Sequence, residues 1–166
     1  TDRRVVVLSA PGKASGITTK VTDYLIRITE KSLAGKDPQK AIDAVKKRYF
    51  DIYQPLGVNE ETIQYVVDEL DNRIAGDRKN SAKYRDSIVA TGEEFSANLF
   101  AELLKTRGMN AEFHSPQSVN LLVTADFGDA QTTLDGQQNL TTLKSICEDK
   151  IVIFPGFYGV TSSGDI

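Results

Sequence analysis

A chain of 166 residues, 40% hydrophobic and 26% charged, has the balance of one globular domain, which excludes a disordered chain, a collagen-like repeat and a disulfide scaffold. Its uncharged apolar runs fall far short of the ~20 residues a membrane helix needs. A net charge of -3 argues against a dedicated nucleic-acid binder, though not against a local basic site for a phosphate.

Val5-Val6-Val7-Leu8 is a continuous apolar run, as expected of a strand buried on both faces. It breaks at the small-residue loop Ser9-Ala10-Pro11-Gly12-Lys13. The spacing of Tyr24, Leu25, Ile28 and Leu33 predicts a helix over about 22–33. Asp37-Pro38 is a helix-start signal, and Ile42, Val45, Tyr49, Ile52 and Tyr53 follow at helical spacing until Pro55 and Gly57. Asn59 is placed to cap a further helix whose core face is Ile63, Val66, Val67, Leu70 and Ile74. Beyond a polar turn at 76–79, Ile88-Val89-Ala90 reads as strand-like, and Gly92-Glu93 is read as opening a long helix that carries Phe95, Leu99, Phe100, Leu103 and Leu104. Gly108 stands where a left-handed C-terminal residue is wanted. Residues 111–114 and 120–123 are short strand candidates, 133–148 a last helix with Leu140, Leu143 and Ile146 inward, and Ile151-Val152-Ile153-Phe154 a second fully apolar strand. This order predicts an α/β layered fold with a mostly parallel sheet, whose ligands bind at the loops after Leu8 and after Phe154.

The common motifs are absent. Gly12-Lys13 mimics the end of a triphosphate loop, but Val7 and Ala14 stand where glycine and a hydroxyl residue are required, and Gly12 and Gly16 have the wrong spacing for a dinucleotide loop. His114 and Cys147 are the only histidine and cysteine. They supply neither a disulfide nor a structural zinc site, and each reads as an ordinary structural residue. With no disulfide and no signal-peptide core, a cytoplasmic setting is expected. The hydroxyls, glycines and lysines of residues 9–22 suit an anion, but composition alone fits a plain solvated connection as well.

Four patches carry a resemblance. Residues 5–13 with Lys20-Val21-Thr22-Asp23-Tyr24-Leu25 resemble the first substrate segment of the aspartate kinases. Gly92-Glu93-Glu94-Phe95-Ser96-Ala97 is similar to their Gly-Glu segment, and Thr124-Ala125-Asp126-Phe127-Gly128-Asp129-Ala130 to their Thr-Asp-x-Phe-Gly-x-Ala stretch. Phe154-Pro155-Gly156-Phe157-Tyr158-Gly159, with Gly164-Asp165-Ile166, resembles their Gly-Phe-x-Gly loop. The patches follow family order and span almost the whole chain. The family's Lys-Phe-Gly-Gly strand end and Gly-Arg-Gly-Gly-Ser segment are absent.

The resemblance implies that residues 1–166 are a partial amino-acid kinase domain, mainly its amino-acid substrate side and without an ACT regulatory domain. The fold it implies is a three-layer αβα sandwich with a mostly parallel sheet. The reaction it implies is transfer of the ATP γ-phosphoryl to the side-chain carboxylate of L-aspartate with Mg²⁺, the first step of lysine, threonine and methionine biosynthesis. The intact enzyme is then a cytoplasmic homo-oligomer, with no nucleic-acid or membrane partner, and this chain alone is inactive. By position, Ser9 and Thr22 match hydroxyl contacts to substrate, and Glu93 the carboxylate that receives the substrate ammonium. Gly12, Lys13, Gly156 and Phe157 form a possible phosphate or substrate loop. No catalytic residue and no metal ligand is assigned. From the residues alone, Glu93 reads first as a first-turn acid complementing a helix dipole, while Thr22 is equally an N-cap and Phe127-Gly128 equally a packed turn. Two other readings stay open: a sibling amino-acid kinase such as acetylglutamate kinase, and a non-catalytic binding or assembly module.

Overall fold

The computed structural model describes residues 4–166. Three short strands, β1 (Val5–Leu8), β2 (Ala111–Phe113) and β3 (Ile151–Pro155), form a parallel sheet in the order β1-β3-β2. Val6 pairs with Ile153 and Ala111 with Ile151. Parallel strands need crossover connections, and helices supply both. Between β1 and β2 run α1 (Val21–Leu33), α2 (Gln39–Tyr53), α3 (Glu60–Ile74) and α4 (Ser81–Thr106). Between β2 and β3 lie a 3₁₀ turn (Gln117–Val119) and two short helices, α5 (Leu134–Asn139) and α6 (Thr142–Ile146).

Helix α4 joins the sheet to the other helices. Ala97 and Ala101 pack with Val6, Leu8, Ala111 and Ile153 on one sheet face, and these small side chains let helix and sheet approach closely. Its other sides meet α1, α2 and α3 in a core that includes Leu25, Ile28, Tyr49, Ile63, Leu70, Ile88, Phe95 and Leu99. Burying a Leu, Ile or Phe contributes about 1.5–3 kcal/mol, so this cluster is the main source of stability.

The expected helices at 22–33, after Asp37 and after Asn59 are present. The Asn59 side chain accepts from the Glu61 amide as read. Asp37 accepts from Gln39 N, with Pro38 in the N-cap position. Four expectations are corrected. Residues 88–90 are not strand-like and Gly92-Glu93 opens no helix. Asn80 caps α4 by accepting from the amides of Ala82 and Lys83, and the helix runs unbroken through Gly92. A helix buried on several sides loses its amphipathic stripe, so its apolar run imitates a strand. The expected helix at 133–148 is two pieces, α5 and α6. Residues 120–123 contribute only isolated bridges, Leu122 to Val160 and Val123 to Thr132. Finally, β1 is not buried on both faces: Val5 and Val7 are 41% and 60% exposed. They point away from α4, toward a cavity of about 630 Å³ that Leu140, Leu143 and Phe154 also line. The third layer is therefore thin, consisting of α5 and α6 across that cavity.

Candidate functional site

Beyond the carboxyl ends of β1 and β3, two loops leave side by side. The Gly156 amide donates to the Leu8 carbonyl at 2.8 Å, which joins the start of one loop to the end of the neighbouring strand. A side chain at Gly156 would lie 3.4 Å from that carbonyl oxygen, so the approach is close. Helix α4 passes under both loops. The Ala10 amide, one residue past Ser9, donates to Glu93 Oε1 at 3.2 Å. This contact requires Gly92, because a Cβ there would sit 2.8 Å from the Ala10 Cβ and 3.1 Å from Leu25 Cδ1. The Gly92 carbonyl is itself held by the hydroxyls of Tyr49 at 2.6 Å and Ser96 at 2.9 Å. Both α2 tyrosines are donors here, the second from Tyr53 to the Ser96 carbonyl. Burial pushes the Tyr53 hydroxyl up to about 12 and Tyr49 higher still, which keeps both protonated.

Glu93 is 8% exposed, and its Oε2 atom has no hydrogen-bond partner among the described residues. Three other buried side-chain atoms share that condition, Ser32 Oγ, Arg48 Nε and His114 Nε2, so Glu93 supplies the one carboxylate oxygen. Burial raises its pKa above the ordinary glutamate value, and the Ala10 amide opposes that shift only in part. A buried carboxylate with a free lone pair is costly unless a cation or a donor completes it. The adjacent Glu94 differs. Its Oε2 takes Arg73 at 2.6 Å and the Tyr158 hydroxyl at 3.1 Å.

The other expected site residues lie around the same strand ends. Ser9 is exposed directly after β1, and Gly12 and Lys13 are exposed a few residues further on. Ala14 and Ile17 close a small hairpin in which Gly16 takes φ +74°. Thr22 is half-buried in the first turn of α1 and is not its cap. Lys20 occupies the cap position, with its amide bonded to Asp23. Phe157 has φ +76° and is 74% exposed. Phe127 and Gly128 form a turn tied to α4, the Gly128 amide donating to Asp86 at 2.6 Å. The helix-dipole reading of Glu93 is excluded, since twelve residues of α4 precede it.

Sequence reasoning missed Arg73, Glu94, Asp86 and Tyr158. Tyr158 and Glu94 stood inside the quoted patches beside residues that were singled out. Arg73 lies next to Ile74 at the end of an apolar stripe and gave no signal of its own. Among the described residues, no group of three or more His, Cys, Asp or Glu side chains could hold a metal ion.

Comparison with known proteins identifies the family. The family model for the amino acid kinase family matches residues 1–166. Aspartokinase 3 of Bacillus subtilis (strain 168) is 37% identical over 164 residues, which are 99% of this chain and 36% of that protein. E. coli aspartokinase III in complex with aspartate and ADP superposes with a TM-score of 0.77 at 25% identity, over 98% of this chain and 36% of that one. The form in complex with lysine and aspartate gives a TM-score of 0.78 at 26% identity, with the same shares covered. Clostridium acetobutylicum aspartate kinase, at 20% identity and a TM-score of 0.74, shares the fold. The chain thus spans about a third of the length of the relatives it matches.

Proposed function

Since the chain belongs to the amino acid kinase family, we propose that its protein is an aspartate kinase, and that these residues form the amino-acid side of the active site. The observation that carries this reading is Glu93 Oε2, buried and without a partner among the described residues, while Oε1 takes the Ala10 amide just beyond β1. An acceptor amino acid brings an ammonium group that this oxygen can take. An N-acylated acceptor such as acetylglutamate has no cation to offer, so the free carboxylate favours aspartate over that sibling substrate. The similarity to aspartokinase 3 supports the same choice.

In the reaction, an oxygen of the aspartate side-chain carboxylate attacks the γ-phosphorus of ATP, the bond to the β,γ-bridging oxygen breaks, and ADP leaves. Such transfer depends on positioning and charge neutralisation rather than on a covalent protein group. Glu93 fixes the ammonium end, and the Ser9 and Thr22 hydroxyls orient the carboxylates. The exposed loop with Gly12 and Lys13, together with the loop of Gly156 and Phe157, supplies amides and a cation for the anionic groups. Mg²⁺, when bound with the nucleotide, would supply positive charge that offsets the phosphate groups. Among the described residues no group of three or more His, Cys, Asp or Glu side chains could hold that ion, so no residue is assigned to it.

The test is trapping of the acyl phosphate with hydroxylamine, using the full-length protein with ATP, Mg²⁺ and either L-aspartate or N-acetylglutamate. Aspartyl hydroxamate from the full-length protein, and none from the 166-residue chain alone, is the expected result. Acetylglutamyl hydroxamate would transfer the protein to the sibling activity. No hydroxamate with either acceptor would favour a non-catalytic module.

A further inference from the structure

The Gly156–Gly159 loop has an unusual backbone. The Tyr158 amide donates to the Gly156 carbonyl at 3.0 Å, and Phe157 between them takes φ +76°. This is a γ-turn with a positive central φ, a rare and strained arrangement, and here a bulky aromatic residue adopts it. Such strain persists only where the surroundings impose it. Two constraints are visible. Gly159 packs so tightly that a Cβ would lie 2.5 Å from Val123 Cγ1 and 2.7 Å from the Leu121 carbonyl oxygen. Tyr158 is anchored through its hydroxyl to Glu94 on α4.

Glu94 is in turn fixed by Arg73. The Arg73 side chain is 11% exposed and uses three donors: Nη2 to Glu94 at 2.6 Å, Nε to Glu69 at 3.2 Å and Nη1 to the Ser87 carbonyl at 2.9 Å. A planar fork serves three acceptors at once, which a lysine cannot reproduce. The consecutive acids of α4 therefore hold the two loops at the strand ends. Glu93 holds Ala10 in the loop after β1, and Glu94 holds Tyr158 in the loop after β3.

We propose that Arg73, on α3, is a positioning residue for the acceptor site. It acts through Glu94 and Tyr158 to keep the strained turn at Phe157, and with it the junction of Gly156 and Leu8, in the geometry that receives the amino acid. The inference rests on the aspartate kinase reading. Tyr158→Phe removes one hydroxyl and leaves the aromatic packing, while Arg73→Lys keeps the charge and loses the fork.

The experiment measures, on the full-length protein, steady-state kinetics and hydrogen exchange of the Tyr158 amide. Both variants are expected to exchange that amide at least tenfold faster. They should raise the KM for aspartate by about tenfold, the scale of one hydrogen bond to a charged group, with the KM for ATP and the melting temperature nearly unchanged. Faster exchange with an unchanged aspartate KM overturns the positioning role, as does exchange that stays at the parent rate. A rise in both KM values together with a lower melting temperature overturns it in favour of a purely structural bond. If the unsubstituted protein phosphorylates no aspartate, the functional reading itself fails, and that result is separate from any difference between variant and parent.

Discussion

Glu93 and Glu94 are adjacent on one helix and have opposite surroundings. Glu94 is neutralised by Arg73, whereas Glu93 receives a single amide and no cation among the described residues. The difference has a consequence for stability. Burial raises the folded-state pKa of Glu93 above the ordinary value, so between those two pH values the folded state holds more protons than the unfolded one. The contribution of Glu93 to stability therefore falls as pH rises through that window, and at neutral pH the ionised group is a net cost. Glu93→Gln can still accept from Ala10 and leaves a neutral amide in place of the orphan oxygen. Thermal unfolding of the ligand-free protein across pH is expected to show the variant melting higher at pH 7, with the gap closing as pH falls below the ordinary glutamate value. In a domain of this size each kcal/mol corresponds to about 2–4 °C. A variant that melts lower at pH 7 would show that Glu93 is a structural anchor. The Gly-Glu patch points to the residue, but its burial and free oxygen were not legible, because both depend on where the chain folds back at Ala10.

At the scale of elements, α4 organises the site. Along its length Lys83 pairs with Asp165, Asp86 with the Gly128 amide, Glu93 with Ala10 and Glu94 with Tyr158. Four separated stretches of loop are thus tied to one rigid rod. Most helices were readable from caps and apolar spacing, since α1, α2 and α3 each bury one face and show a clear period. The start of α4 was not, although Asn80 is a good cap, because a glycine in a many-sided core helix looks like a boundary. The structure gives Gly92 a different reason, which is the close approach of Ala10 and Leu25. Gly92→Ala would gain about 1 kcal/mol in helix propensity. The 2.8 Å approach to Ala10 requires the loop to move, and overpacking typically costs about 1–3 kcal/mol. The expected outcome is a net loss of stability by denaturant titration, together with weaker aspartate binding. A more stable variant would show that the loop after β1 yields freely and that its contact with α4 does not matter.

At the scale of the whole molecule, the layer order and parallel sheet follow from two apolar strands separated by helices, and that much could be read directly. The unequal cover of the sheet could not. A run such as Val5–Leu8 looks equally apolar whether one face or both are buried, and here Val5 and Val7 border the cavity while Val6 and Leu8 meet α4. The candidate site was legible through family order rather than through periodicity, for its parts come from residues 9, 93 and 156, brought together by the sheet and by α4. The central claim is that an amino-acid ammonium completes Glu93. Calorimetric titration of the full-length protein and its Glu93→Gln variant with L-aspartate and with N-acetylaspartate tests it most directly. The variant is expected to bind L-aspartate about tenfold to a hundredfold more weakly, from a charge-assisted bond of about 1.5–3 kcal/mol, while both proteins bind the acetylated compound with the same low affinity. Equal affinity of parent and variant for L-aspartate would contradict it.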